Sequence, residues 1–269
     1  MTAGDARYTH GHADSVLRSH RWRTAENSAG YLLGALHAGM SVLDVGCGPG
    51  TITVDLARRV APGSVIGIDR SEQVLEQARD HSLSEDVSVA WAAGDVYALA
   101  YPPGSFDVVH AHQVLQHLAD PVAALREMAG VAKRGGLVAC RDADFAAMAW
   151  YPDEPALRRW LEVYSAVARA NGGEPDAGRH LLAWAHAAGL EDVAATASSW
   201  CFATPDERAW WSGLWAERIT QTPLAERAVE LGIASRDELS ELAEGWRRWG
   251  AHHDGWFSVP NAEVLCRRP

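Results

Sequence analysis

The 269-residue chain carries 24 Lys and Arg against 35 Asp and Glu, a formal charge of −11, with 48% hydrophobic and 22% charged residues. That composition suits one large core, or one core with a cap, and excludes a disordered chain; its negative field repels phosphate backbones and excludes nucleic acid as a general partner. Cys47, Cys140, Cys201 and Cys266 lack CxxC or Cys/His spacing, so neither a zinc site nor a disulfide framework is expected, and with no basic-apolar leader and no apolar run of about 18 residues the protein is expected to be cytoplasmic and membrane-free.

The segment Tyr8–Ser28 opens with the short basic strip Arg18-Ser19-His20-Arg21-Trp22-Arg23, which fits a surface helix with a snorkelling face. Short Val- and Ile-rich runs follow, each bounded by Gly, Pro or Asp, and predict strands over Ser41–Val45, Ser64–Asp69, Val87–Ala93, Phe106–Ala111 and Gly136–Arg141. Between them helical spacing predicts Thr51–Val60, Ser71–His81 and Pro121–Lys133, with Ser71 and Asp120 as N-caps and Gly135 closing the last helix. Alternation of this kind gives right-handed βαβ units, a mostly parallel sheet and helices on both faces.

The pattern changes near residue 145, where ten of the twelve tryptophans follow. Helices are predicted over Glu154–Ala170, Ala177–Ala188, Pro205–Thr220, Pro223–Leu231 and Ser235–His252, with Thr204 and Ser235 as caps, and strands over Val193–Phe202 and Trp256–Cys266. The expected fold is thus an α/β doubly wound, seven-stranded sheet with an added helical cap. Residues 1–145 would hold an N-terminal helical segment and the ligand-binding half, and residues 146–269 the remaining strands and the cap. Trp210, Trp211, Trp215, Trp246 and Trp249 recur at helical spacing; such a stripe packs a core, or in part lines a pocket at the carboxyl ends of the strands.

The strongest local signal is Leu43-Asp44-Val45-Gly46-Cys47-Gly48-Pro49-Gly50-Thr51, an apolar strand entering three alternate glycines and a helix. Glycines there admit positive φ and close ligand approach, and the helix start offers unpaired N–H groups. A nucleotide-like ligand follows. Thr51 stands where a dinucleotide fingerprint needs its third glycine, which weakens a nucleotide-dependent oxidoreductase as the alternative.

DVGCGPG, Asp44 to Gly50, resembles motif I of class I S-adenosylmethionine-dependent methyltransferases, whose form is (D/E)xGxGxG. The resemblance implies the Rossmann-like fold, S-adenosylmethionine as cofactor, and Asp44, Gly46, Cys47 and Gly48 around it. It extends to Asp69 and Arg70, where a carboxylate ending the second strand can accept from both ribose hydroxyls, and to Gly94, Asp95 and Val96, the acid on the adenine amino group and the next backbone N–H on a ring nitrogen. Phe106 to Pro121 resembles the strand-four segment of the ubiquinone/menaquinone-type branch, with His110 and His112 departing from its usual small or polar residues beside the cofactor's methionine part. By the same resemblance an N-terminal helix closes over the cofactor, and Arg23 would pair with its carboxylate.

In-line methyl transfer needs alignment and exclusion of water more than covalent catalysis. A hydroxyl or amine acceptor would use a general base, for which His112, His117 and His110 are the candidates, with His112 and His117 preferred; each also fits a purely structural role at the end of a strand. The expected activity is methylation of a small apolar or aromatic acceptor, and a non-catalytic S-adenosylmethionine-binding module is the other alternative.

Overall fold

A computed structural model describes Thr9 and residues 14–269; Tyr8, where the N-terminal segment was expected to begin, lies outside the described residues. Two helices, α1 (Asp14–Arg21) and α2 (Ala25–Leu33), precede the βα alternation: β1 (Ser41–Val45), α3 (Thr51–Val60), β2 (Ser64–Asp69), α4 (Glu72–Ser84), β3 (Ala90–Ala93), β4 (Phe106–His112), α5 (Pro121–Val131) and β5 (Ala132–Ala143). The second half adds β6 (Ala149–Tyr151), α6 (Pro155–Ala170), α7 (Leu181–Ala187), β7 (Glu191–Phe202), α8 (Pro205–Gln221), α9 (Pro223–Glu230), α10 (Arg236–Ala251) and β8 (Trp256–Arg267). Among the described residues no helix is long and apolar enough to cross a membrane.

The sheet runs β3-β2-β1-β4-β5-β8, with β7 on the far side of β8. Pairings among β1 to β5 are parallel, and β8 runs antiparallel to both β5 and β7. This is the expected doubly wound sheet with one strand more, since three-residue β6 pairs with the part of β8 that projects beyond β5. Val42, Val65, Val108 and Ala139 meet α2 and α3 on one face, while Leu43, Val109, Val138 and Cys140 meet α5 and α7 on the other. A third core, built from α6, α8, α9, α10 and the ends of β7 and β8, forms the cap.

Local chemistry sets most boundaries. Ser71, Asp120, Thr204 and Ser235 cap their helices as predicted, and Thr204 forms a reciprocal capping box with Glu207. Gly135 does not close α5: that helix stops at Val131 because Ala132 turns to extended backbone and pairs with Phe106. Gly135, at φ +72, instead turns the chain inside the bulge separating that pair from Val108–Leu137. Edge strand β3 is shorter than predicted, with Val87 and Val89 packing beside α2 and α3 without pairing.

Candidate active site

β1 sits where the chain order reverses, with β2 on one side and β4 on the other. The loops leaving these strands diverge and open a crevice at their carboxyl ends. One continuous cavity of about 220 Å³ occupies it and runs on beneath the cap.

The glycine turn builds its first wall. Gly46, Gly48 and Gly50 lie at φ +67, +56 and +82, a region costing an L-residue about 1–2 kcal/mol. A Cβ on Gly46 would run into Val114 Cγ2, and one on Gly50 would meet Trp91 at 2.6 Å. The turn is tied to β2 by Cys47 N–H on Ile68 O at 3.0 Å, and by Gly48 N–H on Asp69 Oδ2 at 3.1 Å. Asp69 Oδ1 accepts from Ser71 N at 3.0 Å, so both carboxylate oxygens have fixed directions. Burial pushes the Cys47 thiol well above its ordinary value, with Asp44 and Asp69 adding to the rise; it is a neutral neighbour in the wall.

Of the predicted residues, Arg23, Asp44, Gly46, Cys47 and Gly48 line this one cavity, together with Asp69, Arg70, Gly94, Val96, His112 and His117. Two of the expected residues, His110 and Asp95, are not part of this cavity's lining. His110 does not reach the cavity: it is fully buried opposite Asp44 in the β1–β4 register, and its Nδ1–H donates to Asp44 Oδ1 at 2.7 Å. Thr53 Oγ1–H donates to the other oxygen of Asp44 at 2.5 Å, so His110 and Thr53 brace the acid from behind. Asp95 also stands outside the wall that Gly94 and Val96 form. Its Oδ1 accepts the Tyr97 N–H at 3.0 Å, an aspartate turn two residues along, and Oδ2 lies 3.8 Å from Arg70 Nη2.

The two cavity histidines differ. His112 ends β4, and both its ring nitrogens are buried without a hydrogen-bond partner; burial holds its imidazole well below the usual range, and Arg23 and Arg141 push it further down. His117 accepts from Gln116 Nε2 at 3.1 Å and is lowered to about 3 by burial, then by Arg23. The Gln116 amide thus already occupies the lone pair of His117 Nε2. His112 presents unsatisfied polar atoms to the cavity and is the better candidate to meet a ligand.

Several residues were not singled out in the sequence. Gln113, at φ +54, accepts from Arg23 Nη2 at 2.7 Å and donates to Asn261 Oδ1 at 3.2 Å. Trp200 on β7 lies 5.7 Å from the His112 ring, with the Arg23 guanidinium 5.4 Å and the Arg141 guanidinium 4.7 Å from its centroid. Arg218, Phe145 and Met148 complete the far end. The tryptophan stripe divides: Trp210, Trp211 and Trp215 line the cavity, whereas Trp246 and Trp249 are sealed in the cap core. Such a division is invisible to helical periodicity, which marks a buried face without naming what that face meets.

A methyltransferase-domain family matches residues 36–200. An uncharacterised methyltransferase of Schizosaccharomyces pombe is 34% identical over 270 residues, covering 97% of this chain and 96% of its own. The Aspergillus luteorubrus "probable methyltransferase ltbC" is 30% identical over 278 residues, with 96% of each chain covered. A ubiquinone biosynthesis O-methyltransferase of Bordetella bronchiseptica reaches 43% identity, but over 102 residues and 38% of this chain, so the likeness to the quinone branch is partial and the family is the broader one. The fold is shared with YcgJ of Bacillus subtilis, at TM-score 0.60 and 20% identity over 89% of this chain and 97% of that one. With relatives alike along nearly their whole length and a family match over more than half the chain, this protein belongs to the class I S-adenosylmethionine-dependent methyltransferases and takes S-adenosylmethionine as its cofactor.

Proposed function

We propose that the enzyme methylates a small, flat, apolar or aromatic acceptor held beneath the cap, with His112 touching the acceptor. The observation that carries this reading is the continuity of one cavity, from the Asp44–Gly50 turn to walls made by Trp200, Trp210, Trp211, Trp215 and Phe145. Aromatic walls favour planar apolar ligands through burial and ring stacking.

Bound S-adenosylmethionine supplies a methyl group already activated on a sulfonium. Asp69, with both oxygens oriented by Gly48 and Ser71, would accept from the ribose hydroxyls. Gly94 and Val96 would flank the adenine, with the Val96 backbone N–H on a ring nitrogen. Arg23, steadied by Gln113, would hold the carboxylate of the amino-acid end. His112 would hydrogen-bond the acceptor's reacting atom, and the cap aromatics would exclude water, so that most of the rate gain comes from alignment.

The partial likeness to a ubiquinone biosynthesis O-methyltransferase supports phenolic or quinol-like acceptors as the first to try. Incubating the protein with methyl-labelled S-adenosylmethionine and a panel of hydroxylated aromatics should give a product carrying the labelled methyl, and His112→Ala should lower its rate while leaving S-adenosylhomocysteine affinity unchanged. Tight binding of S-adenosylhomocysteine with no labelled product from any flat acceptor would overturn the reading in favour of a binding module.

A further inference from the structure

One residue is shared by two cavities. Besides the site cavity, a groove of about 510 Å³ opens between α2 and the β7–β8 pair, lined by Asn27 and Tyr31 on one side and by Thr196, Ser198 and Leu265 on the other. Among the described residues, Trp200 alone lines both. Its ring is nearly buried, at 7% exposure, and lies 5.7 Å from that of His112 in the wall of the site cavity. The indole is therefore a partition between the acceptor chamber and an open space behind it.

A partition works only if its ring cannot turn, and the neighbouring strand residues do little to prevent that: Ala194 to Ser199 are small and exposed. Rigidity comes from across the sheet. His112, Arg141, Glu263 and Thr196 form one register row over β4, β5, β8 and β7, so their side chains leave the sheet on the same face. Glu263 accepts from Arg141 Nε at 3.2 Å, from Thr196 Oγ1 at 2.6 Å and from Ser198 Oγ at 2.5 Å. Arg141 Nη2 also donates to Ser198 Oγ at 3.1 Å, so the guanidinium is fixed in plane and position, 4.7 Å from the Trp200 ring centroid. The indole N–H donates to Asn27 O at 2.7 Å, which ties the ring to α2, and Trp22 meets it edge-on at 5.4 Å. Paired with Glu263, the guanidinium acts on Trp200 through shape, as a flat and immobile plate against a flat ring.

Resting on the methyl-transfer reading above, we propose that Trp200 sets the size of acceptor that the chamber takes, and that the Arg141–Glu263 pair is its positioning device. With the indole in place the chamber ends at the ring and takes compact flat acceptors. With the indole gone or free to turn, chamber and groove become one space reaching towards Tyr31 and Leu265, and longer fused-ring acceptors fit. Removing Arg141 alone would leave Glu263 buried and unpaired, which is strongly destabilising, whereas removing both charges together is tolerated.

The test titrates the full chain, saturated with S-adenosylhomocysteine, with 2-naphthol and with pyren-1-ol in a calorimeter, and reads the ratio of the two affinities. In Trp200→Ala the ratio should shift towards pyren-1-ol by at least about tenfold, the scale on which an apolar wall discriminates size. Trp200→Leu should shift it in the same sense, and decides the matter should the alanine variant fail to fold. Arg141→Met combined with Glu263→Gln leaves every residue lining the site cavity in place. It should nevertheless shift the ratio in the same sense by about threefold, the worth of one stacked cation; a pair that only stabilised the sheet would lower the melting temperature and leave the ratio alone. Arg141→Lys, which keeps the charge without the plate, takes its place should the double variant fail to fold. A ratio within about twofold of the wild type in a folded Trp200 variant would overturn the size-setting role, and the same constancy in the folded Arg141 variants would overturn the positioning role. Failure of 2-naphthol to bind the loaded wild type would instead sink the flat-acceptor reading, and this proposal with it.

Discussion

Replacing Asp69 by alanine removes the carboxylate proposed to grip the cofactor's ribose, and the size of the loss follows from its contacts. The Asp69 oxygens receive the Gly48 and Ser71 N–H groups at 3.1 and 3.0 Å, which fixes the carboxylate before any ligand arrives. A carboxylate offers about four lone-pair sites, so about two remain for the ribose hydroxyls. Hydrogen bonds to a charged group contribute about 1.5–3 kcal/mol each, so losing both costs about 3–6 kcal/mol, roughly 10²–10⁴-fold in Kd. Titration calorimetry with S-adenosylhomocysteine on the wild type, Asp69→Ala and Asp69→Asn reads this directly. Asparagine keeps the shape and one acceptor oxygen, so its loss should fall between the other two. A thermal melt separates this effect from unfolding, because the same substitution also frees two loop N–H groups. The reasoning fails if folded Asp69→Ala binds within about fivefold of the wild type, since two charge-assisted bonds cannot be worth so little.

Gly46→Ala should abolish tight S-adenosylhomocysteine binding while the fold survives: the new methyl group enters the space of Val114 at φ +67, and binding retained to within about twofold would show that the turn can yield. Trp246→Ala should cost about 3–5 kcal/mol in urea unfolding because its ring is sealed in the cap core; Trp210→Ala, only partly buried against that core, should cost clearly less and raise the acceptor KM, and a reversal of the two effects would refute the division of the stripe. Burial raises the Asp142 carboxyl to about 7, with the Gln116 and Leu115 N–H groups opposing. Its native state therefore holds a proton that the unfolded chain releases above the ordinary value of 3.8, and the resulting stability is complete below that value and lost as pH rises through about 7. Neutral Asp142→Asn keeps the oxygen that receives Gln116 N–H, so it should gain on the wild type by roughly 2–3 kcal/mol between about pH 5 and pH 8; a pH-independent difference would show that Asp142 ionises freely.

What the sequence made legible was local. The glycine turn, the acid closing β2, and the caps at Ser71, Asp120, Thr204 and Ser235 are each specified by a few adjacent residues, and they lie where those residues require. What escaped depends on partners distant in the chain. β6 is three residues long and exists because β8 extends past β5. His110 lies mid-strand opposite Asp44, a register that fixes it as a brace and that no local pattern encodes. Asp95 resembles a ligand-binding acid, and the Arg70 guanidinium 3.8 Å from its Oδ2 is brought there from the end of β2 by the β2–β3 pairing. Trp200 sits on a strand whose other residues are mostly exposed, so only the arrival of Arg23, His112 and Arg141 around it gives it a place in the site.

Gln113 shows how the two halves of the cavity are held in one geometry. A non-glycine residue at φ +54 carries a backbone cost of about 1–2 kcal/mol, so its neighbours must hold it there. Three hydrogen bonds do so: its N–H donates to Arg141 O at 2.7 Å, its amide oxygen accepts from Arg23, and its amide nitrogen donates to Asn261 on β8. The strained turn at the end of β4 thereby links the N-terminal segment, β5 and β8, the strand that follows the cap helices. Neither Arg23 nor β8 can shift without releasing a bond that offsets the strain. Arg23 and β8 are therefore set by one residue; if the proposed function holds, these are the donor and acceptor sides of an in-line transfer, which tolerates little misalignment.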